Sequence, residues 1–229
     1  MTDWFDRSSP RAPAPPEAIA EYERRMGTTI RPDYRAFLER WNGIDLRGWR
    51  DAGGRRTDDA FEEREDAART AAQKAVAEAT GVDAFFLDEV TAFRGIRTGN
   101  RWMDMPLPDA DGGVGFYHVR LYPHGYVIGD SGSGDPYVQI TKGERGGQIV
   151  TLEHDTWHFG TDVVLDLPGA DEEDRENWPF ASLEEATTDQ LWNTMIEGGD
   201  LASYVAPDFA TLLDAVIDVE RRVIATLGL

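Results

Sequence analysis

Apolar positions along this chain recur at two spacings, and each predicts a different kind of element. From Pro16 onward, Ile19, Tyr22 and Met26 follow one another at helical intervals, acidic residues crowd the first turns, and Gly27 stands as a C-terminal cap. A short extended step, Thr28 to Ile30, leads to Pro32, which suits a first helical turn. Tyr34, Phe37, Leu38 and Trp41 then fall at i, i+3, i+4 and i+7, so a second helix is expected, stopped by Asn42-Gly43.

Residues 47 to 60 read as loop. The alanine-rich run from about Asp58 to Thr80 has high helix propensity but only a thin apolar face of Phe61, Ala68, Ala72 and Val76, which predicts an exposed, inserted helix. Between Val82 and Gly160 the period changes to two. Val114, Phe116, His118 and Arg120 alternate with Gly115, Tyr117, Val119 and Leu121, and short turns stand at Asp111-Gly112-Gly113, Pro123-His124-Gly125, Asp130-Ser131-Gly132 and Gly146-Gly147. Strands joined by connections that short are antiparallel. Residues 169 to 176 form an acidic loop, and a last helix from Pro207 carries Phe209, Leu212, Leu213, Val216, Ile217, Val223, Ile224 and Leu227 on one stripe. Helices flanking a central antiparallel meander make an α+β fold. The Pro- and Ser-rich segment to residue 16 is expected to be a flexible lead-in, with a single domain over 17–229.

Composition narrows the function. The chain has 229 residues and no cysteine, which removes disulfides, thiolate nucleophiles and Cys-ligated metal sites. With no basic and apolar leader at the start and no stretch near eighteen apolar residues, a cytoplasmic protein is expected. Its 43 acids and 23 bases give a net charge of -20, which repels phosphate backbones and anionic membranes and attracts basic partners. The charge is uneven: 16 bases and 19 acids lie in residues 1–100, 7 bases and 24 acids in 101–229. The run Asp171, Glu172, Glu173, Asp174 and Glu176 lies in the acidic half and reads equally as a solvated loop or as a surface for a basic partner.

Candidate chemistry is sparse. Gly129 to Pro136, GDSGSGDP, is similar to the nucleophile loop of chymotrypsin-like proteases, but two residues intervene before the proline and the first histidine is His118, so the chain order is wrong. A Gly-rich turn explains the string better. Asp130, Ser133 and Asp135 offer oxygen ligands without the closing carboxylate of a calcium loop. His154 and His158 would share a strand face but lack a third ligand, so a metal-dependent hydrolase using them with Asp130 is the enzyme alternative, and no cofactor or metal is expected. Nucleotide-binding glycine motifs are missing, and Trp41, Trp102, Trp157, Trp178 and Trp192 read as packing.

The stretch Ile19 to Gly43, with Glu23, Gly27, Pro32, Tyr34, Phe37, Leu38, Asn42 and Gly43 in place, closely resembles the opening of the SUKH superfamily, the Smi/Knr-type family. Leu121 to Ile140, with its Gly134-Asp135 pair, is similar to that family's strand, Gly-rich turn and returning strand, and Val205 to Leu213 resembles its closing helix. Ile30-Arg31-Pro32 replaces the commoner Leu-Pro step, and residues 47–80 and 160–203 look like insertions. The resemblance implies a SUKH-like domain without enzymatic activity. It also implies a bacterial immunity protein that neutralises a polymorphic toxin, often a nuclease, or else an intracellular regulatory or scaffold protein. An acidic surface would suit a basic toxin domain.

Overall fold

Two prolines start the first two helices. In this computed structural model, which describes residues 11–46, 59–98, 104–105, 121–152, 180, 185–197 and 202–228, helix α1 is Pro16–Met26 and α2 is Pro32–Arg40. Each proline sits in the first turn, where its missing N–H has no partner to lose. Gly27 ends α1 in the left-handed conformation at φ 63°, its N–H bonded to the Glu23 carbonyl.

Among the described residues, six strands follow in chain order: β1 (Ile44–Asp45), β2 (Val90–Phe93), β3 (Gly125–Ser131), β4 (Pro136–Ile140), β5 (Ile149–Leu152) and β6 (Ala202–Ala206). They pair β1-β2-β3-β4-β5-β6, every pair antiparallel. Helices α3 (Asp59–Thr80) and α4 (Ala84–Glu89) lie between β1 and β2; α5 (Thr188–Glu197) precedes β6, and α6 (Phe209–Leu227) closes the chain. The α+β architecture with a central antiparallel sheet and flanking helices is as the sequence predicts.

Both faces of the sheet are covered. Tyr126, Ile128, Tyr137 and Ile149 join the larger core beneath α1, α2 and α6, while Val127, Val138, Ile140, Val150 and Leu152 join a second core with Leu191, Trp192 and Met195 of α5. Strands buried on both faces lose the apolar-polar alternation of a half-exposed strand, which is why β3 to β5 read as nearly continuous apolar runs. Gly125 makes room for the second core: a side chain there would meet the Trp192 ring and Val138 at 2.7 Å.

Helix α2 docks through aromatic rings. Tyr34 and Phe37 meet Phe209 with ring centroids 4.7 and 5.1 Å apart, both edge-on, and Phe93 stands 5.2 Å from Phe209. The buried Tyr34 hydroxyl donates to the Arg94 carbonyl at 2.6 Å, so its polar end is satisfied in the core. Asp33 ties three elements: its carboxylate accepts from Gln139 Nε2 on β4 at 3.0 Å, from the Phe209 N–H opening α6 at 2.9 Å, and from the Tyr34 N–H at 2.9 Å.

Several expectations change. The helix over 58–80 forms, but one face of it is docked: Ala68, Ala72 and Val76 are buried against α6, and Arg69 ion-pairs Glu220 at 2.5 Å, its side chain 10% exposed and that of Glu220 only 2%. A thin apolar face sufficed because a buried charge pair completes it. Residues 160–203, read as an acidic-loop insertion, hold α5, whose Leu191, Trp192 and Met195 fill the second core, and the start of β6. The sequence reading takes Val205 and Ala206 into the closing helix. They belong to β6, and α6 starts at Phe209, where the Asp208 carboxylate accepts from the Thr211 N–H at 2.7 Å. Helix α4 lies in a stretch expected to be strand, started by the Asp83 side chain accepting from the Phe85 N–H. The turn expected at Pro123-His124-Gly125 covers Tyr122 to His124, and β3 starts at Gly125.

Candidate functional site

The Asn-Gly step that ends α2 is a clamp. Asn42 takes φ 48°, and its side chain grips Ile96 twice, accepting from the Ile96 N–H at 2.7 Å and donating from Nδ2 to the Ile96 carbonyl at 3.0 Å. Gly43, at φ 101°, and Gly95 pack backbone to backbone; a Cβ on Gly95 would lie 2.2 Å from the Asn42 carbonyl oxygen. The segment after β2 is therefore held rigidly against the end of α2. Arg94, 3% exposed at its side chain, completes the clamp with a two-pronged pair to Asp130 at 2.9 and 2.7 Å and a bond to the Asp104 carbonyl.

Between this clamped segment and α1 lies a cleft of about 80 Å³. Its floor is Ala18, Tyr22, Ile96 and Met105; its rim is Glu21, Arg25, Arg97 and Asp104. Arg97 is exposed and, at φ 52°, lies in the left-handed region that residues other than glycine seldom adopt. The Arg24 guanidinium, bonded to both Glu21 oxygens at 3.0 and 2.6 Å, holds the Glu21 carboxyl below its usual range, with Arg25 and Arg97 adding to the effect. Asp104 accepts the Thr98 N–H at 2.6 Å, and Arg11 donates to the Thr98 carbonyl at 3.1 Å.

Beneath the cleft runs a set of buried phenols. Tyr22 and Tyr122 share a hydrogen bond, and Tyr126 donates to Gln139 Oε1 at 2.6 Å while accepting from the Arg31 N–H. Burial pushes the hydroxyls of Tyr22, Tyr34, Tyr122 and Tyr126 all above the ordinary tyrosine value. They are neutral, hydrogen-bonded core groups.

The residues singled out in the sequence are scattered. Tyr34, Phe37 and Leu38 are core; Trp41 is half-buried, with the Arg40 guanidinium 4.3 Å from its ring centroid; Trp192 is fully buried. Gly134, at φ 104°, and Asp135 form a closed turn in which Ser131 Oγ accepts from the Gly134 and Asp135 N–H groups and Ser133 donates to Asp135 Oδ2 at 2.7 Å. Ser131 is thus turn chemistry. Asp130 is committed to Arg94 and turned away from Ser133 and Asp135 as a joint cation set. Among the described residues, no group of three or more His, Asp or Glu could hold a metal ion. His154, His158, Trp102, Trp157, Trp178 and the acids Asp171, Glu172, Glu173, Asp174 and Glu176 lie outside the described residues.

Sequence reasoning missed the cleft and both buried ion pairs. One signal was available for Arg69 and Glu220: each stands in the apolar stripe of its own helix, opposite in sign, where an apolar residue belongs. Arg94 and Asp130 carried no such mark, since they meet through strand register.

Among the described residues, no helix is long and apolar enough to cross a membrane. The model of the SMI1 / KNR4 family (SUKH-1) matches residues 13–215, from the approach to α1 into α6. No curated protein and no solved structure matches the chain.

Proposed function

Because the chain belongs to the SMI1 / KNR4 family (SUKH-1), we propose that it is a non-enzymatic protein-binding module, an immunity protein that neutralises a toxin by covering it with an acidic surface. The observation that carries this reading is where the charge is placed. Inside, charged groups are spent on the fold: Arg94 on Asp130, Arg69 on Glu220, Asp33 on three donors. Outside, Glu62, Glu63 and Asp66 on α3 and Asp214 on α6 face solvent, and the half from residue 101 carries 24 acids against 7 bases. Residues 11–46 hold six of each sign and α6 three acids against two bases, whereas α3 holds six acids against three bases and adds to the acidic excess of the half from residue 101.

Such a field attracts a basic domain from a distance, raising the association rate at low salt. A nuclease toxin is basic where it grips phosphates, so an acidic inhibitor can both find that surface and occlude it. The test is co-expression with the toxin encoded beside its gene: restored growth and a co-purifying complex support the reading, whereas growth arrest without a complex overturns it. Replacing Asp171, Glu172, Glu173, Asp174 and Glu176 by lysines should slow association chiefly at low ionic strength. An unchanged rate removes that loop from the interface.

A further inference from the structure

We propose that the cleft between α1 and the Asn42-clamped segment receives the side chain of a glutamate from a polypeptide partner, its methylenes on the apolar floor and its carboxylate against Arg97. This goes beyond the toxin reading and stands without it.

Size and lining agree with one short, charge-tipped side chain. A cleft of about 80 Å³ is too small for a drug-sized ligand, which takes several hundred Å³, yet it is roomier than one water needs. The floor of Ala18, Tyr22, Ile96 and Met105 offers no free polar group, because the Tyr22 hydroxyl is already bonded to Tyr122. Polarity is confined to the rim. There Glu21 is neutralised by Arg24, and Asp104 is engaged by the Thr98 N–H. Arg97 is different: among the described residues it has no hydrogen-bond or ion-pair partner.

The surroundings sharpen the argument. Among the described residues, Arg11, Arg24 and Arg97 stand around Glu21 and Asp104, a local excess of positive charge on a molecule of net charge -20. An acidic ligand is repelled by the rest of the surface, so it can settle only where local charge reverses the field. A guanidinium presents a planar fork that matches a carboxylate in two parallel bonds. Its position is preset, because Asn42 fixes Ile96 on one side while Arg11 and Asp104 hold Thr98 on the other. A left-handed arginine backbone costs energy that the clamp must supply, a pattern that recurs at binding sites.

The experiment is a ¹⁵N NMR titration of the full chain with the blocked tripeptide acetyl-Leu-Glu-Leu-amide, its glutamine counterpart, and inorganic phosphate. The expected result is saturable shifts at the Ala18, Ile96, Arg97 and Met105 amides with the glutamate peptide, at least tenfold weaker binding of the glutamine peptide, and no saturation by phosphate. Arg97→Gln should weaken the glutamate peptide about tenfold and leave the glutamine peptide unchanged, while Arg97→Lys keeps part of the affinity. Arg97→Gly, which suits the left-handed backbone, supplies the same test if Arg97→Gln disturbs folding. Equal binding of the two peptides, shifts that never saturate, or affinity that survives both Arg97→Gln and Arg97→Gly overturns the proposal. Phosphate binding as tightly as the glutamate peptide overturns the polypeptide occupant in favour of a general anion site.

Discussion

Helices α2 and α3 both dock on α6, and they do so by opposite chemistry. Tyr34 and Phe37 of α2 meet Phe209 ring to ring, a largely apolar shape match whose polar groups are satisfied, the Tyr34 hydroxyl by the Arg94 carbonyl and the Phe209 N–H by Asp33. Helix α3 brings alanines and one valine, which have little shape to offer, and places Arg69 against Glu220 in the middle of the interface. Rings lock through apolar packing, which offers no charge for salt to screen. A buried ion pair contributes mostly specificity: it roughly breaks even against an apolar pair of the same size, but one charge left alone is severely unfavourable.

The comparison can be broken first at the rings. Phe37→Ala should cost ~3–5 kcal/mol in urea or guanidinium unfolding, because the surrounding Tyr34, Phe93 and Phe209 rings cannot collapse into the space. Glu220→Ala should cost less, ~1–3 kcal/mol, because Arg69 loses its shortest partner but keeps Glu65 at 3.3 Å, yet the double change Arg69→Met with Glu220→Leu should be neutral or gain ~1–4 kcal/mol. A double variant as unstable as the single one would mean that the pair holds α3 by net attraction, contrary to this account.

A smaller effect separates the two regions by pH. Tyr22, Tyr34, Tyr122 and Tyr126, whose hydroxyls burial pushes above the ordinary value, lie in or beneath α1 and α2. Their folded-state values are raised, so the stability linked to their neutral form is fully present below the ordinary value of about 10 and is lost as pH rises above it. Alkaline titration followed by tyrosinate absorbance should therefore loosen the α1 and α2 side together with the ionisation of these rings. In Tyr22→Phe the transition should move to higher pH; a transition unmoved in that variant would place the alkaline weakness elsewhere.

How much of this was readable beforehand follows the same divide. The opening helices were readable because proline starts, a glycine stop and an i, i+3, i+4, i+7 stripe act within a few residues. So were the Gly-rich turns that separate β3, β4 and β5. Helix α3 was readable as a helix but not as a docked one, since what buries it is a charge 151 residues away. Helix α5 was lost in an acidic stretch, although Leu191, Trp192 and Met195 mark its buried side. The cleft was unreadable for another reason: Ala18, Ile96 and Arg97 are unremarkable one by one, and only the Asn42 grip on Ile96 brings them to face each other.

The sheet places its strands in the order in which they are synthesised, so each pairing joins neighbours along the chain. Closing such a hairpin becomes dearer only with the logarithm of the connecting length, about 0.6 kcal/mol for each doubling. Long segments can therefore be spliced between β1 and β2, β2 and β3, or β5 and β6 without re-registering a single rung. Descendants of this architecture can change the length of those connections while inheriting the scaffold unchanged.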